Sequence, residues 1–142
     1  PMKIIENPSG DLYHVVRKSS SGFVGFGEAY ISTIQKGKVK GWKKHHKMTM
    51  NIVVPSGEVC IVIYDDRPES ATCHAFFEIT LSLDNYVRLT IPPNLWAAFL
   101  GIGAKSNIIL NVADCEHDES KSEAVEFQAI PYIWGSNVRS GR

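Results

Sequence analysis

The sequence predicts an all-β fold of the barrel or sandwich kind, jelly rolls among them, and three observations predict it. About ten short runs rich in β-branched and aromatic residues follow one another at close spacing. Gly, Pro, Asn and Ser fill the gaps between them as turn residues. No stretch carries a sustained helical period of apolar residues, and neither a repeat nor a low-complexity tract interrupts the pattern. With 142 residues, 44% of them hydrophobic, the chain is long enough for one domain, 1–142, with a real core.

Met2 to Ile5 reads as a short apolar strand, and Asn7-Pro8-Ser9-Gly10 as its turn. Asp11 to Arg17 is strand-forming and runs into the flexible Ser19–Gly22 connection. Phe23 to Ile34 is a strand in which Gly25 and Gly27 predict a bulge or a close backbone approach. Gln35-Lys36-Gly37-Lys38 is a hairpin turn. Glu58 to Tyr64 (EVCIVIY) is almost continuously apolar, as a strand buried on both faces should be. Asp65 to Pro68 ends it. His74 to Leu83 and Tyr86 to Ile91 are further strands, the second stopped by Pro92-Pro93-Asn94. Leu95 to Leu100, Asn107 to Val112 and the apolar run Ala129 to Trp134 follow. Asp114 to Glu123 (DCEHDESKSE) reads as a polar loop, and Gly135 to Arg142 as a frayed tail.

The stretch Gly41 to Gly57, GWKKHHKMTMNIVVPSG, stands at the centre of the chain. It opens on cations, continues into the apolar Ile52–Val54 and closes at a Pro-Ser-Gly turn. Read with the two-residue period of a strand, Lys43, His45, Lys47, Thr49 and Asn51 share one face. Trp42, Lys44, His46, Met48 and Met50 share the other. A solvated strand could carry such a face, but the apolar strand that follows argues for a polar row pointing into a pocket.

Fifteen basic and fifteen acidic residues cancel, so nothing global recommends nucleic acid or an anionic membrane as a partner. Lys36, Lys38, Lys40, Lys43, Lys44 and Lys47 nevertheless form a local cationic patch. No apolar run approaches the ~18–20 residues of a membrane helix, and no signal peptide opens the chain. Three widely spaced cysteines, Cys60, Cys73 and Cys115, suit reduced thiols. The expected setting is the cytoplasm.

Gly41 to Gly57 resembles the first motif of the cupin superfamily, and Ile91 to Phe99 (IPPNLWAAF) its second. The ordered strings VKGWKKH, VPSGEVCIVIYDDR, LSLDNYVRLTIPPNLWAAF and IPYIW are similar to the dTDP-4-dehydrorhamnose 3,5-epimerase-like branch of that superfamily. The resemblance spans roughly Phe26 to Trp134. It implies a cupin jelly-roll β-barrel (the double-stranded β-helix), a homodimer and a nucleotide-sugar ligand. It also implies acid–base chemistry with no cofactor. The metal-ligand positions of the superfamily fall on Lys43, His45, Met50 and Ala97. An ammonium, a thioether and a methyl do not hold a hard metal, so none is expected.

The branch places a histidine base after an arginine-glycine pair, an aspartate near the C terminus to orient it, and a tyrosine acid across the pocket. Here Lys40-Gly41 stands for the pair, which makes Lys40 a candidate substrate-binding residue. Lys43 stands where the base is expected, and the tyrosine region maps onto Cys115 to Asp118, offering His117. The segment that would deliver the aspartate is expected to be missing after Trp134.

The chemistry itself needs a base beside a ketone and a donor for the enolate oxygen. A lysine amine is ordinarily a poor base near neutral pH, but adjacent cations and desolvation improve it. His45, on the same face, titrates near neutrality and is the alternative. Against both stands the reading that Lys43 and His45 hold phosphate oxygens and move no proton.

Other candidates also carry two readings. Arg67 pairs a diphosphate, or simply Asp65 or Asp66 in its own turn. Trp96 stacks on a base or sugar, or is core, as Trp42 is expected to be. Glu28 and Tyr30, on one side of their strand, line the pocket or the surface. His117 is catalytic or a solvated loop residue. Thr49 and Asn51 bind a sugar hydroxyl or satisfy buried backbone.

Two functions follow. One is a cofactor-independent epimerase or isomerase of a 4-keto deoxy nucleotide sugar, dTDP-linked, in surface-polysaccharide synthesis. The other is a catalytically silent cupin that binds such a sugar or a related anionic one.

Overall fold

The computed structural model describes residues 1–135 and 139–140, and its longer strands fall into two sheets, antiparallel along their main path, that face each other. The four-stranded sheet runs β3 (Glu28–Ile34), β10 (Asn107–Ala113), β5 (Met50–Ser56), β8 (Leu89–Ile91). The other runs β11 (Ser122–Ala124), β4 (Lys38–His45), β9 (Trp96–Gly101), β6 (Glu58–Tyr64), β7 (Phe76–Ser82). This is the cupin-type jelly roll that the sequence predicts.

Alternation along the strands sorts their side chains between two cores. On β6, Val59, Ile61 and Ile63 point between the sheets, while Cys60 and Val62 point outward into a second cluster. The expectation of a strand buried on both faces therefore holds. What covers the outer face is the C-terminal segment. Val125, Phe127, Ile130, Tyr132 and Trp134 pack over Trp42, Trp96 and Ala98. Trp42 is fully buried there, as expected of a core residue.

The central stretch is not one strand. β4 ends at His45, and residues 46–49 carry the chain across to β5 in the opposite sheet. Thr49 anchors this crossing, its N–H donating to Asp114 Oδ1 at 2.7 Å. A second irregularity precedes it. Lys40 pairs with Phe99 and Lys43 with Ala97, so β4 carries one more residue than β9 between those pairs. Gly41 makes this bulge possible, with φ +132 and only 2.8 Å between an added Cβ and Ala98. Beyond the bulge Trp42 faces outward, and Lys43 and His45 face the barrel interior.

Tyr86 to Arg88 lie outside the shortened β8, and the remaining differences lie at the ends. Phe23 to Gly27 is outside β3, and the strands at the N terminus shrink to β1 (Ile4–Ile5) and β2 (Leu12–Tyr13), paired with each other. The Asp114–Glu123 loop contains a one-turn 3-10 helix, Glu119–Lys121, and runs into β11, which pairs with β4. Residues 129–134 are not a strand. Within the tail, β12 (Arg139–Ser140) lies parallel to β4, and residues 136–138 and 141–142 are outside the described residues.

Candidate active site

A cavity of about 430 Å³ opens between the sheets. β4 contributes Lys43 and His45, and β9 contributes Ala97 and Phe99 from the same sheet. The facing sheet contributes Glu28, Tyr30 and Ser32 from β3, Met50 and Ile52 from β5, and Ile109 and Asn111 from β10. His117 completes the lining from the loop after β10. The four positions that the cupin resemblance singled out, Lys43, His45, Met50 and Ala97, therefore meet at one cavity. Among the described residues, no group of three or more His, Cys, Asp or Glu side chains is placed to hold a metal ion.

One wall is basic. Lys43 Nζ lies 3.4 Å from His117 Nε2 and 3.4 Å from Glu119 Oε1. His117 Nε2 is 2.6 Å from the same Glu119 oxygen, and its ring meets His45 edge-to-face at 5.6 Å. Glu28 straps the loop in place by accepting the His117 backbone N–H at 2.9 Å. Hydrogen bonding to His117, with Lys43 beside it, holds the Glu119 carboxyl below its ordinary value. The other wall offers a phenol. Tyr30 accepts a hydrogen bond from Asn111 Nδ2 at 3.0 Å, and Asn111 Oδ1 is itself fixed by the Asn51 N–H at 3.1 Å. Buried Asn111 escaped the sequence reading, although Asn107, Ile109 and Asn111 alternate on one face of β10.

Burial, reinforced by the neighbouring Lys43 and His117, pushes the His45 imidazole down to about 4. The ring is therefore neutral at physiological pH. An unfolded chain takes up this proton near pH 6.5, whereas the native site refuses it until about pH 4. Native stability from this residue is thus complete above about pH 6.5 and is lost as pH falls through that window. His45→Gln is expected to narrow the difference between urea midpoints measured at about pH 7 and about pH 4.5. An unchanged difference would show that His45 does not set the slope.

Five of the candidates do not reach the cavity. Lys40 pairs with cavity-lining Phe99, but its Nζ donates to the Thr33 carbonyl at 2.9 Å and it does not line the cavity. Thr49 lies in the crossing. That crossing also reverses the parity of β5, so Met50 and Ile52 face the cavity and Asn51 does not. Asn51 instead donates to the Gly22 carbonyl and accepts from Arg88 Nε and Thr90 Oγ1. Arg67 is committed to Asp65 at 2.8 Å, and with Ser70 and Thr72 it holds that carboxyl well below the usual range. Trp96 packs in the outer cluster and donates to Asp66 Oδ2 at 2.8 Å. The cations near Lys43 in sequence are also dispersed: Lys44 turns outward to Asp66 at 2.8 Å, and Lys47 is exposed.

The sequence model of the dTDP-4-dehydrorhamnose 3,5-epimerase family matches residues 12–138. The "Probable low-salt glycan biosynthesis epimerase Agl13" of Haloferax volcanii is 28% identical over 105 residues, 73% of this chain. The chain spans 65% of the length of that relative. Among solved structures, the dTDP sugar isomerase of Desulfovibrio desulfuricans G20 is 34% identical, with a TM-score of 0.91 over 96% of this chain and 88% of that one. The epimerase RmlC of Legionella pneumophila, in complex with dTDP-4-keto-L-rhamnose, shares the fold at 20% identity, with a TM-score of 0.85 over 99% of this chain and 80% of that one.

Proposed function

The chain belongs to the dTDP-4-dehydrorhamnose 3,5-epimerase family, and from that premise we propose that it isomerises a dTDP-linked 4-keto deoxy sugar by proton transfer next to the ketone. The observation that carries this reading is the convergence of proton-transfer groups on one cavity. Lys43, His45 and His117 line it together with Tyr30, which is held by Asn111. A proton beside a ketone is removed as charge moves onto the carbonyl oxygen, so the site needs a base and hydrogen-bond donors together. Returning the proton to the opposite face inverts the carbon, and in this reading the Tyr30 phenol is the donor for that return.

Lys43 is the proton carrier in this reading, and His45, kept neutral by burial, is the second base on the same wall. His117 completes the group from the loop. Met50, Ile52 and Ile109 supply an apolar floor that excludes water from the reacting carbon. We place the reaction in surface-glycan synthesis in the cytoplasm; a curated relative is described by its name as a glycan-biosynthesis epimerase, and no helix among the described residues is long and apolar enough to cross a membrane. The test is incubation with a dTDP-4-keto-6-deoxy sugar in D2O. Deuterium entering the carbon beside the ketone supports the reading, and tight binding without exchange replaces it with a silent nucleotide-sugar binder.

We further propose a homodimer. β3 is an edge strand of its sheet, with Ile31 66% exposed and Phe26 just before it 67% exposed. Light scattering is expected to give about twice the 15.8 kDa chain mass. A monomer mass at micromolar concentration would sink the idea.

A further inference from the structure

We propose that Asn111 is a positioning residue that turns the Tyr30 phenol proton into the cavity, toward the reacting carbon. This deepens the reading above and rests on it for the reaction. Asn111 is buried at 1% exposure on the inward row of β10, and both ends of its amide are engaged. Its Oδ1 lies 3.1 Å from the Asn51 backbone nitrogen, whose N–H only donates. That contact fixes which end is which, and it leaves Nδ2 as the end 3.0 Å from Tyr30 Oη. An amide nitrogen donates and does not accept, so the phenol oxygen is the acceptor and its own hydrogen lies off that line. Tyr30 lines the cavity and has no other hydrogen-bond partner among the described residues. Its hydrogen is left for a ligand.

The orientation is set by the framework before any ligand arrives. Asn51 is paired on both sides, with Val112 of β10 and Thr90 of β8. Its side chain accepts from Arg88 Nε at 3.0 Å and Thr90 Oγ1 at 2.7 Å, and Arg88 also donates to the Val15 carbonyl at 3.2 Å. In the step itself the phenol hydrogen passes to the carbon, where the enolate electron pair forms the new C–H bond. The O–H electrons stay on Tyr30 as a phenolate, the Asn111 N–H meets that negative oxygen, and solvent restores the proton. An aspartate at this position would not serve. A carboxylate accepts from Asn51 equally well, but its second oxygen draws the Tyr30 O–H away from the cavity.

The test compares wild type, Asn111→Asp, Tyr30→Phe and the double variant with a dTDP-4-keto-6-deoxy sugar in D2O. The quantity read is the ratio of inverted product to deuterium found in sugar of the starting configuration. Asn111→Asp is expected to lower this ratio by about tenfold or more, part of the ~10²–10⁴ that a positioned acid supplies. Tyr30→Phe should lower it at least as far, and adding Asn111→Asp to Tyr30→Phe should lower it no further, because Asn111 acts through the phenol. A wild-type ratio in Asn111→Asp overturns the proposal, as does a further fall in the double variant. A second measurement needs neither turnover nor the aspartate variant. In isotope-labelled wild type, one Asn111 side-chain amide proton should exchange slowly with water, and Tyr30→Phe should speed that exchange about fivefold or more. Equal rates in the two proteins overturn the proposal. A protein that shows this protection yet never incorporates deuterium into the sugar loses the enzymatic reading and keeps Tyr30 as a donor directed at a bound ligand.

Discussion

Lys43→Met is expected to lower solvent-deuterium incorporation into a dTDP-4-keto-6-deoxy sugar by about 10²–10⁴-fold, the usual worth of a positioned proton-transfer group. Nucleotide binding should stay within about tenfold of wild type, about 1.4 kcal/mol, because methionine keeps the apolar stem against the cavity wall. The comparison with Lys43→Arg is sharper. A guanidinium preserves the charge beside Glu119 but does not act as a base near neutral pH. If Lys43 carries the proton, the arginine variant is as inactive as the methionine variant. If Lys43 only holds an anionic oxygen, the arginine variant stays active, and the methionine variant weakens binding at low salt in a way that added salt masks. Full exchange by Lys43→Arg would therefore remove the lysine base and leave His45 as the base on that wall.

Much of this arrangement is legible in the sequence, and the parts that are not share a cause. β6 announces itself because EVCIVIY is apolar at nearly every position, which only a strand with a core on each side requires. The two-residue period correctly joins Lys43 to His45, since both lie on one unbroken segment of β4. It fails wherever the count is interrupted. The bulge at Gly41 turns Val39 and Trp42 to one face and Lys40 and Lys43 to the other, where an unbroken period would separate each pair, and the crossing at 46–49 shifts the count again before Asn51. A period carries no record of an extra residue, so it joins Asn51 and Thr49 to a row they do not belong to. Glu119 lies at the opposite limit. It sits in a polar, exposed loop whose composition suits solvent equally well, and only the pairing of β11 with β4 brings it to Lys43. Trp96 was ambiguous for a different reason. An aromatic on a strand fits a ligand or a core, and the choice was made by a C-terminal segment that packs over the outer sheet.

That covering segment makes Trp42→Ala the substitution with the largest expected effect on stability, roughly 3–5 kcal/mol by the usual cost of truncating a buried aromatic. Trp42 is fully buried on the outer face of β4. Its ring lies 5.9 Å from Trp134 and 6.3 Å from Tyr132, and its Nε1–H donates to the Phe127 carbonyl at 3.2 Å. Its own carbonyl accepts the Val125 N–H at 3.1 Å, so backbone and side chain both fasten the same segment. Alanine removes the ring contacts and leaves the Phe127 carbonyl without its donor, and the neighbouring aromatics are too large to collapse fully into the gap. A domain of this size is stable by about 5–15 kcal/mol, so the loss is a large share of the total. Guanidinium denaturation should show it as a lower midpoint, and Trp42→Phe should recover about half by restoring most of the packing without the N–H. The consequence reaches the cavity, because Trp42 and Lys43 are adjacent residues on opposite faces of β4. Loosening the outer face frees the strand that positions Lys43, so deuterium exchange in Trp42→Ala should fall even at temperatures where the protein stays folded. A loss below about 1 kcal/mol would show that the C-terminal segment is held by its other contacts and that β4 does not depend on it.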